Sequence, residues 1–257
     1  MTASRVSRRL AWALACIASC AAAAAVAAKP ESPLELNRGA RIGLVSLLDA
    51  EVTHFHAAAQ VMASSLKTLA VPWRADLMLV QGLQGSLLEL NLVPVPLPPG
   101  DALSGLREEC FLDANLEKPL TKPCAAAYTA LAAAQHLDAI IVLGPGLNNA
   151  LHADGTRRKE LPDYLRGWCV LTDGRTPAAA PTLLNLSEML IIANTPQGAV
   201  LAAREWGGAS SSVWVNFTAL PDPKQLSDAQ LEQLQPQFAA LVRGQSQRLL
   251  AVLRVAR

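Results

Sequence analysis

Aromatic side chains make up only 4% of the chain, and there are four histidines and five cysteines, so the material for the commoner catalytic centres is thin. No C-x-x-C pair occurs, which removes the spacing on which cysteine metal sites are usually built. There is no G-x-S-x-G to present a serine nucleophile. Neither G-x-x-x-x-G-K-[ST] nor G-x-G-x-x-G is present to cradle a phosphate. Gly144-Pro145-Gly146 therefore reads as a turn that ends a strand, and Ser210-Ser211-Ser212, after Gly207-Gly208, as a flexible turn. A basic excess is missing too, with 22 Lys and Arg against 21 Asp and Glu. That balance gives no basic face for nucleic acid. No internal repeat is evident.

The N-terminus lacks acid altogether: the first carboxylate is Glu31. Arg5, Arg8 and Arg9 come first, Leu10 to Ser19 is an apolar run, and Ala21 to Ala28 is almost all alanine. Charge, then a short apolar core, then small residues is the order of a bacterial secretory signal. Small residues interrupt the apolar run and no second basic flank follows, which disfavours a permanent membrane span. Two ends fit this segment. Ile17-Ala18-Ser19-Cys20 resembles a lipobox, in which Cys20 would be acylated and anchor the chain. Ala25-Val26-Ala27 is instead an A-x-A site that would release a soluble protein. Residues 1–28 are thus expected to be a signal peptide, 29–40 a linker containing Pro30 and Pro33, and 41–257 a single α/β domain. Loss of the signal removes three arginines and no acid, leaving 19 basic residues against 21 acidic ones.

In an oxidising compartment Cys110 and Cys124 are candidates for a disulfide, since they flank a polar, proline-containing stretch. A loop of that size would gain about 3 kcal/mol from such a staple. Cys169, inside the apolar run Gly167 to Leu171, is expected to be a buried free thiol.

The body of the chain alternates apolar strands with helical patterns. Arg41 to Leu48 is a continuous apolar run of strand length. Ala75 to Asn91 places Leu77, Val80, Leu83, Leu87 and Leu90 on one helical stripe. Between them, Val52 to Leu69 fits either a helix or a pair of strands. Leu92 to Leu97 alternates with proline as an edge strand does. Cys124 to His136 is helical and Asp138 to Leu143 a buried strand. Residues 148–166 read as a long exposed loop. Trp168 to Thr172, Ser187 to Asn194, Ala199 to Glu205 and Ser212 to Phe217 are further strands, with Thr195 to Gly198 a hairpin turn. Ser227 to Val255 is a long helical pattern capped by Ser227, with Leu231, Leu234, Phe238, Leu241 and Leu249 inward, which Pro236 should kink or divide. The expected fold class is α/β: a mixed sheet flanked by helices, with a C-terminal helix, after an N-terminal signal segment.

The succession of Arg41-Ile-Gly-Leu-Val-Ser-Leu-Leu48, an amphipathic helix, Asp138-Ala-Ile-Ile-Val-Leu-Gly144 and the hairpin Leu190 to Leu201 resembles the periplasmic α/β domain of bacterial envelope lipoproteins. The curli-secretion lipoprotein and the lipoproteins that activate penicillin-binding proteins are of this kind. The resemblance covers about 160 residues and implies a binding role in the envelope. It departs at Asn194, where the pattern has aspartate, and in the length of loop 148–166.

One chemical cluster stands out. His54 and His56 share a face if their segment is extended, Asp49 and Glu51 precede them, and His152 follows a neighbouring strand. Ligands of open α/β sheets sit past the carboxyl ends of strands, so Asp49, His54, His56 and His152 could hold a metal. The plainer alternative is hydrogen-bonded histidines near a strand end. Trp73, Trp168, Trp206 and Trp214 are expected in the core. Asn185-Leu-Ser187 and Asn216-Phe-Thr218 match the glycosylation pattern, as short patterns do by chance. The reading these features support is an exported, non-enzymatic envelope protein without a cofactor. It would bind an envelope protein or a cell-wall component, with no nucleic acid and no membrane contact beyond a Cys20 anchor. It would sit in the bacterial periplasm or be membrane-anchored facing it. The alternative is a metal-dependent periplasmic hydrolase using the histidine cluster.

Overall fold

A computed structural model describes residues 34–58, 64–71, 73–98, 103, 120–145, 165–174, 180–206, 210–213 and 226–256. Residues 1–33, on which the expected signal peptide falls, Cys110, residues 146–164 with His152, and Trp214 to Asn216 lie outside the described residues. The fold is mixed α/β: among the described residues a sheet of nine strands carries helices on both faces.

The organising element is β8 (Thr182–Thr195), fourteen residues long and almost wholly buried. Its apolar run is too long to be covered by one neighbour on each side, and it takes two in succession. Along one flank β7 (Gly167–Asp173) pairs with residues 182–186 and β6 (Ala139–Pro145) with 187–193, both antiparallel. Along the other flank lie β10 (Ser210–Val213) and then β9 (Gly198–Trp206). The next row repeats the arrangement: β2 (Arg41–Ser46) runs parallel to β6, and β3 (Val52–Ala57) parallel to β7. β5 (Val93–Leu97) closes one edge beside β2 and β4 (Ser65–Leu69) the other beside β3. The segment that fitted helix or strand pair is therefore the antiparallel pair β3–β4. Ser210 to Ser212, read as a turn, is strand β10.

Two helices cover one face. In α1 (Ala75–Glu89), Leu79, Val80, Leu83 and Leu87 are buried, whereas Leu77, expected inward, is 39% exposed. In α3 (Asp228–Leu250), Leu231, Leu234, Phe238, Val242 and Leu249 join the same cluster, and Leu241 is half-buried. The ring of Phe238 meets Trp168 edge-on at 5.1 Å and Trp73 at 6.1 Å. On the opposite face α2 (Lys122–Gln135) packs Tyr128 and Ala132 over β6, β8 and β9. Thr121 caps α2 by accepting from the Cys124 amide at 3.4 Å, the bond a side-chain N-cap supplies. Cys169 is free and buried, as expected. Among the described residues no helix is long and apolar enough to cross a membrane.

Further expectations change. The stretch 29–40 is not linker throughout, because β1 (Leu34–Leu36) pairs in parallel with β11 (Leu253–Val255) in a small second sheet. That pairing also ends the C-terminal helix before Val255. Pro236 does not divide α3, which continues through it. The residue is exposed and so is Glu232, whose carbonyl loses its helical donor to the proline ring, so water can take that role. Finally, Asn194 donates through Nδ2 to the Leu137 carbonyl at 3.0 Å. Aspartate could not make that bond, which accounts for asparagine at this hairpin.

Since α3 passes unbroken through Pro236, Pro236→Ala should raise stability by about 1–3 kcal/mol by restoring a helical donor. Urea unfolding would check it; a loss of stability would show that the proline sets a bend the packing requires.

Candidate functional site

Residues 47–51 carry the chain from β2 to β3, from the row beside β6 to the row beside β7. Leu47 still donates to the Leu143 carbonyl at 2.7 Å, so the carboxyl ends of β2 and β6 are adjacent. At this bend lies a cleft of about 190 Å³. Leu48, Asp49 and Glu51 line it from the connection, the cross-strand pair Thr53 and Thr68 from β3 and β4, and Arg166, Gly167 and Trp168 from the entry to β7. Asp49 and Glu51 are exposed, Arg166 half-buried and Trp168 buried. The ion pairs among the described residues are Arg74–Asp76, Glu188–Arg204 and Glu205–Arg248. Glu51 and Arg166 thus line one cleft with opposite charges and belong to none of these pairs.

The histidines stand elsewhere. His54 and His56 do share a face of β3, but that face is turned into the protein, and the rings are 2% and 4% exposed. Thr172, opposite His56 on β7, brings its hydroxyl within 2.9 Å of both His54 Nε2 and His56 Nδ1. A hydroxyl has one proton and two lone pairs, so at least one of the two rings must donate to it. Gly174 packs on the far edge of His56, where a Cβ would fall 3.0 Å from Nε2. The structure thus brings His54 and His56 together through Thr172 and places Asp49 in the cleft, which neither histidine lines. Among the described residues no three His, Cys, Asp or Glu side chains gather as a metal would require.

Two buried polar groups lie away from the cleft, on β8. On the face under α3, Asn185 donates to Gln245 Oε1 at 2.6 Å and accepts from the Ser187 hydroxyl at 2.5 Å. Asn185 is wholly buried, which removes it as a glycosylation acceptor. On the opposite face Glu188, wholly buried, is ion-paired with Arg204 of β9; burial, and after it the nearby Glu188 charge, raise the pKa of the Tyr128 phenol on α2. Burial pushes the Glu188 carboxyl up to about 7, and Arg204 only partly offsets it. The sequence signal for both groups was an Asn-x-Ser-Glu interruption in an otherwise apolar run, Leu183 to Ala193.

No family model, curated protein or solved structure matches the chain.

The Glu188 pair gives a pH dependence with a definite sign. The folded state holds the Glu188 proton more tightly than the unfolded chain, so this contribution is full below pH 4.5 and is lost as pH rises through about 7. Arg204→Met should cost about 3 kcal/mol at pH 8, where the buried carboxyl must either stay charged without its partner or take up a proton, and less at pH 5, where it is already protonated. Adding Glu188→Met should recover most of the loss. Unfolding curves of both variants at the two pH values decide it; a pH-independent single-variant effect would mean the pair is solvated.

Proposed function

We propose that the chain is an exported, non-enzymatic binding protein of the bacterial envelope, held there by acylation of Cys20 or released after Ala27. The observation that carries the reading is the separation of cleft and histidines. The open concavity at the β2–β3 bend offers carboxylates, hydroxyls and a guanidinium, groups suited to holding a ligand by charge and hydrogen bonds. The side chains best suited to general-base or metal chemistry, His54 and His56, are closed into the core by Thr172. The export signal and the resemblance to envelope lipoprotein domains support the same reading. The metal-hydrolase alternative draws support from the shared face of His54 and His56, but it would need Asp49 or His152 to complete the set. Export also favours the Cys110–Cys124 disulfide; Cys124 sits fully buried at the start of α2.

A photo-crosslinking side chain at Thr68, on the rim of the cleft, should yield a discrete adduct in the envelope fraction, and the same group at Glu232 on the outer face of α3 should not. Stoichiometric metal in the purified chain, lost together with thermal stability in His54→Ala and His56→Ala variants, would overturn the reading in favour of the hydrolase.

A further inference from the structure

In the large sheet β4, β5, β9 and β10 each have one side unpaired among the described residues. All but β4 are poorly suited to a further strand. The Val93 amide donates inward to the Ala40 carbonyl at 2.9 Å, so the nitrogens of Pro94 and Pro96 face outward. Over that stretch β5 offers an incoming strand no N–H. β9 bulges at Ala202, where the register shifts between Ile191 and Ile192 of β8, and β10 is only four residues long. β4 has none of these features: five residues without proline or glycine, in unbroken register with β3 from Val52–Leu69 to His56–Ser65. Its outward groups follow from the pairing. The Ala57 carbonyl accepts from the Gly174 amide at 2.7 Å, so Thr53, Phe55 and Ala57 bond towards β7, and His54 and His56 towards β4. Ser65, Lys67 and Leu69 therefore bond back to β3, and the N–H and C=O of Leu66 and Thr68 face away from the sheet. Both residues are exposed, Leu66 at 45%, and so is Lys67 between them.

We infer that the outer edge of β4 receives an extended segment of a partner protein, with an apolar side chain opposite Leu66 and an acidic one opposite Lys67. Strand addition of this kind draws affinity from main-chain hydrogen bonds and specificity from alternate side chains. Leu66 and Thr68 each supply a donor and an acceptor, at the two-residue repeat that a neighbouring strand matches. Charge decides against a second copy of the chain as occupant. The twofold antiparallel pairing that joins Leu66 to Thr68 of the other copy sets Lys67 directly against its own equivalent. Like charges so opposed destabilise a ladder, whereas a carboxylate opposite Lys67 stabilises it. The lysine thereby deters self-association while leaving the edge open to an acidic strand. Thr68 also lines the cleft, so the added strand would run along its rim. This occupant rests on the binding-protein reading above and narrows the envelope component to a protein segment.

The test is fluorescence anisotropy of the purified full chain with short labelled peptides of alternating threonine and valine, centred on glutamate or on lysine. The glutamate-centred peptide is expected to bind about fivefold more tightly than its lysine-centred counterpart. Lys67→Glu should reverse that order. Leu66→Pro, which removes an outward donor as Pro94 and Pro96 do on β5, should abolish binding of both peptides. Unchanged unfolding curves confirm that the two variants fold. N-methylation of alternate peptide amides tests the same bonds without altering the protein: one alternate set should abolish binding and the other spare it. No binding of either peptide at about 1 mM chain, or binding indifferent to charge and to N-methylation, overturns the inference. A dimer of the chain that Leu66→Pro dissolves overturns it too, with a second copy as the occupant. An adduct still formed from position 68 in the envelope fraction would then leave the binding-protein reading standing, with the cleft as its surface.

Discussion

The constraint on which the rest of this structure depends is the length of β8. A strand of fourteen residues, buried for most of its course, must have its backbone groups paired along the whole length. No single neighbour reaches that far, so β7 and β6 share one flank and β10 and β9 the other. Once β6 and β7 are set end to end, β2 and β3 must follow suit beside them, and the chain has to bend at residues 47–51. The cleft is the consequence of that bend.

The same strand carries the polar residues that an apolar core least tolerates, and it carries them where its neighbours change. Asn185 and Ser187 face α3 and are tied to Gln245; Glu188 faces α2 and is paired with Arg204. Each group is costly to bury alone and tolerable only with its partner, so together they specify which helix lies on which face. A buried pair of this kind adds little stability relative to apolar side chains of the same size. Its contribution is to penalise alternative placements of β9 and α3, in which Glu188 or Asn185 would lose its partner.

Much of the fold was legible in the residues. The apolar runs at 41–48 and 138–143, the hairpin at 195–198 and the capped C-terminal helix all reflect hydrophobic period and turn chemistry, which are local. What stayed hidden was set by distant pairing. Leu34 to Leu36 has no strand signature of its own and becomes one by meeting Leu253 to Val255. Val52 to Leu69 was ambiguous because His54 and His56 look polar in a period-two pattern, although Thr172 satisfies them inside the core. Asp49 lies past the end of β2, where the apolar run 41–48 stops. In the sequence Glu51 is a neighbour of the histidines and Arg166 the end of a polar loop. Their common cleft depends on the parallel pairing of β3 with β7, which no local pattern announces.

If β8 is the spine of a single cooperative sheet, its amides should exchange with solvent only when the whole domain unfolds. Native-state hydrogen exchange is therefore the most direct measurement. The account requires the amides of Leu183 to Leu186 and of Leu190 to Ala193 to open with the same free energy and the same denaturant dependence. Opening of Leu183 to Leu186 at distinctly lower free energy would mean that the part of the sheet holding β3, β4 and β7 is a separate unit. The bend that forms the cleft would then be a hinge between two bodies, not a fixed feature of one.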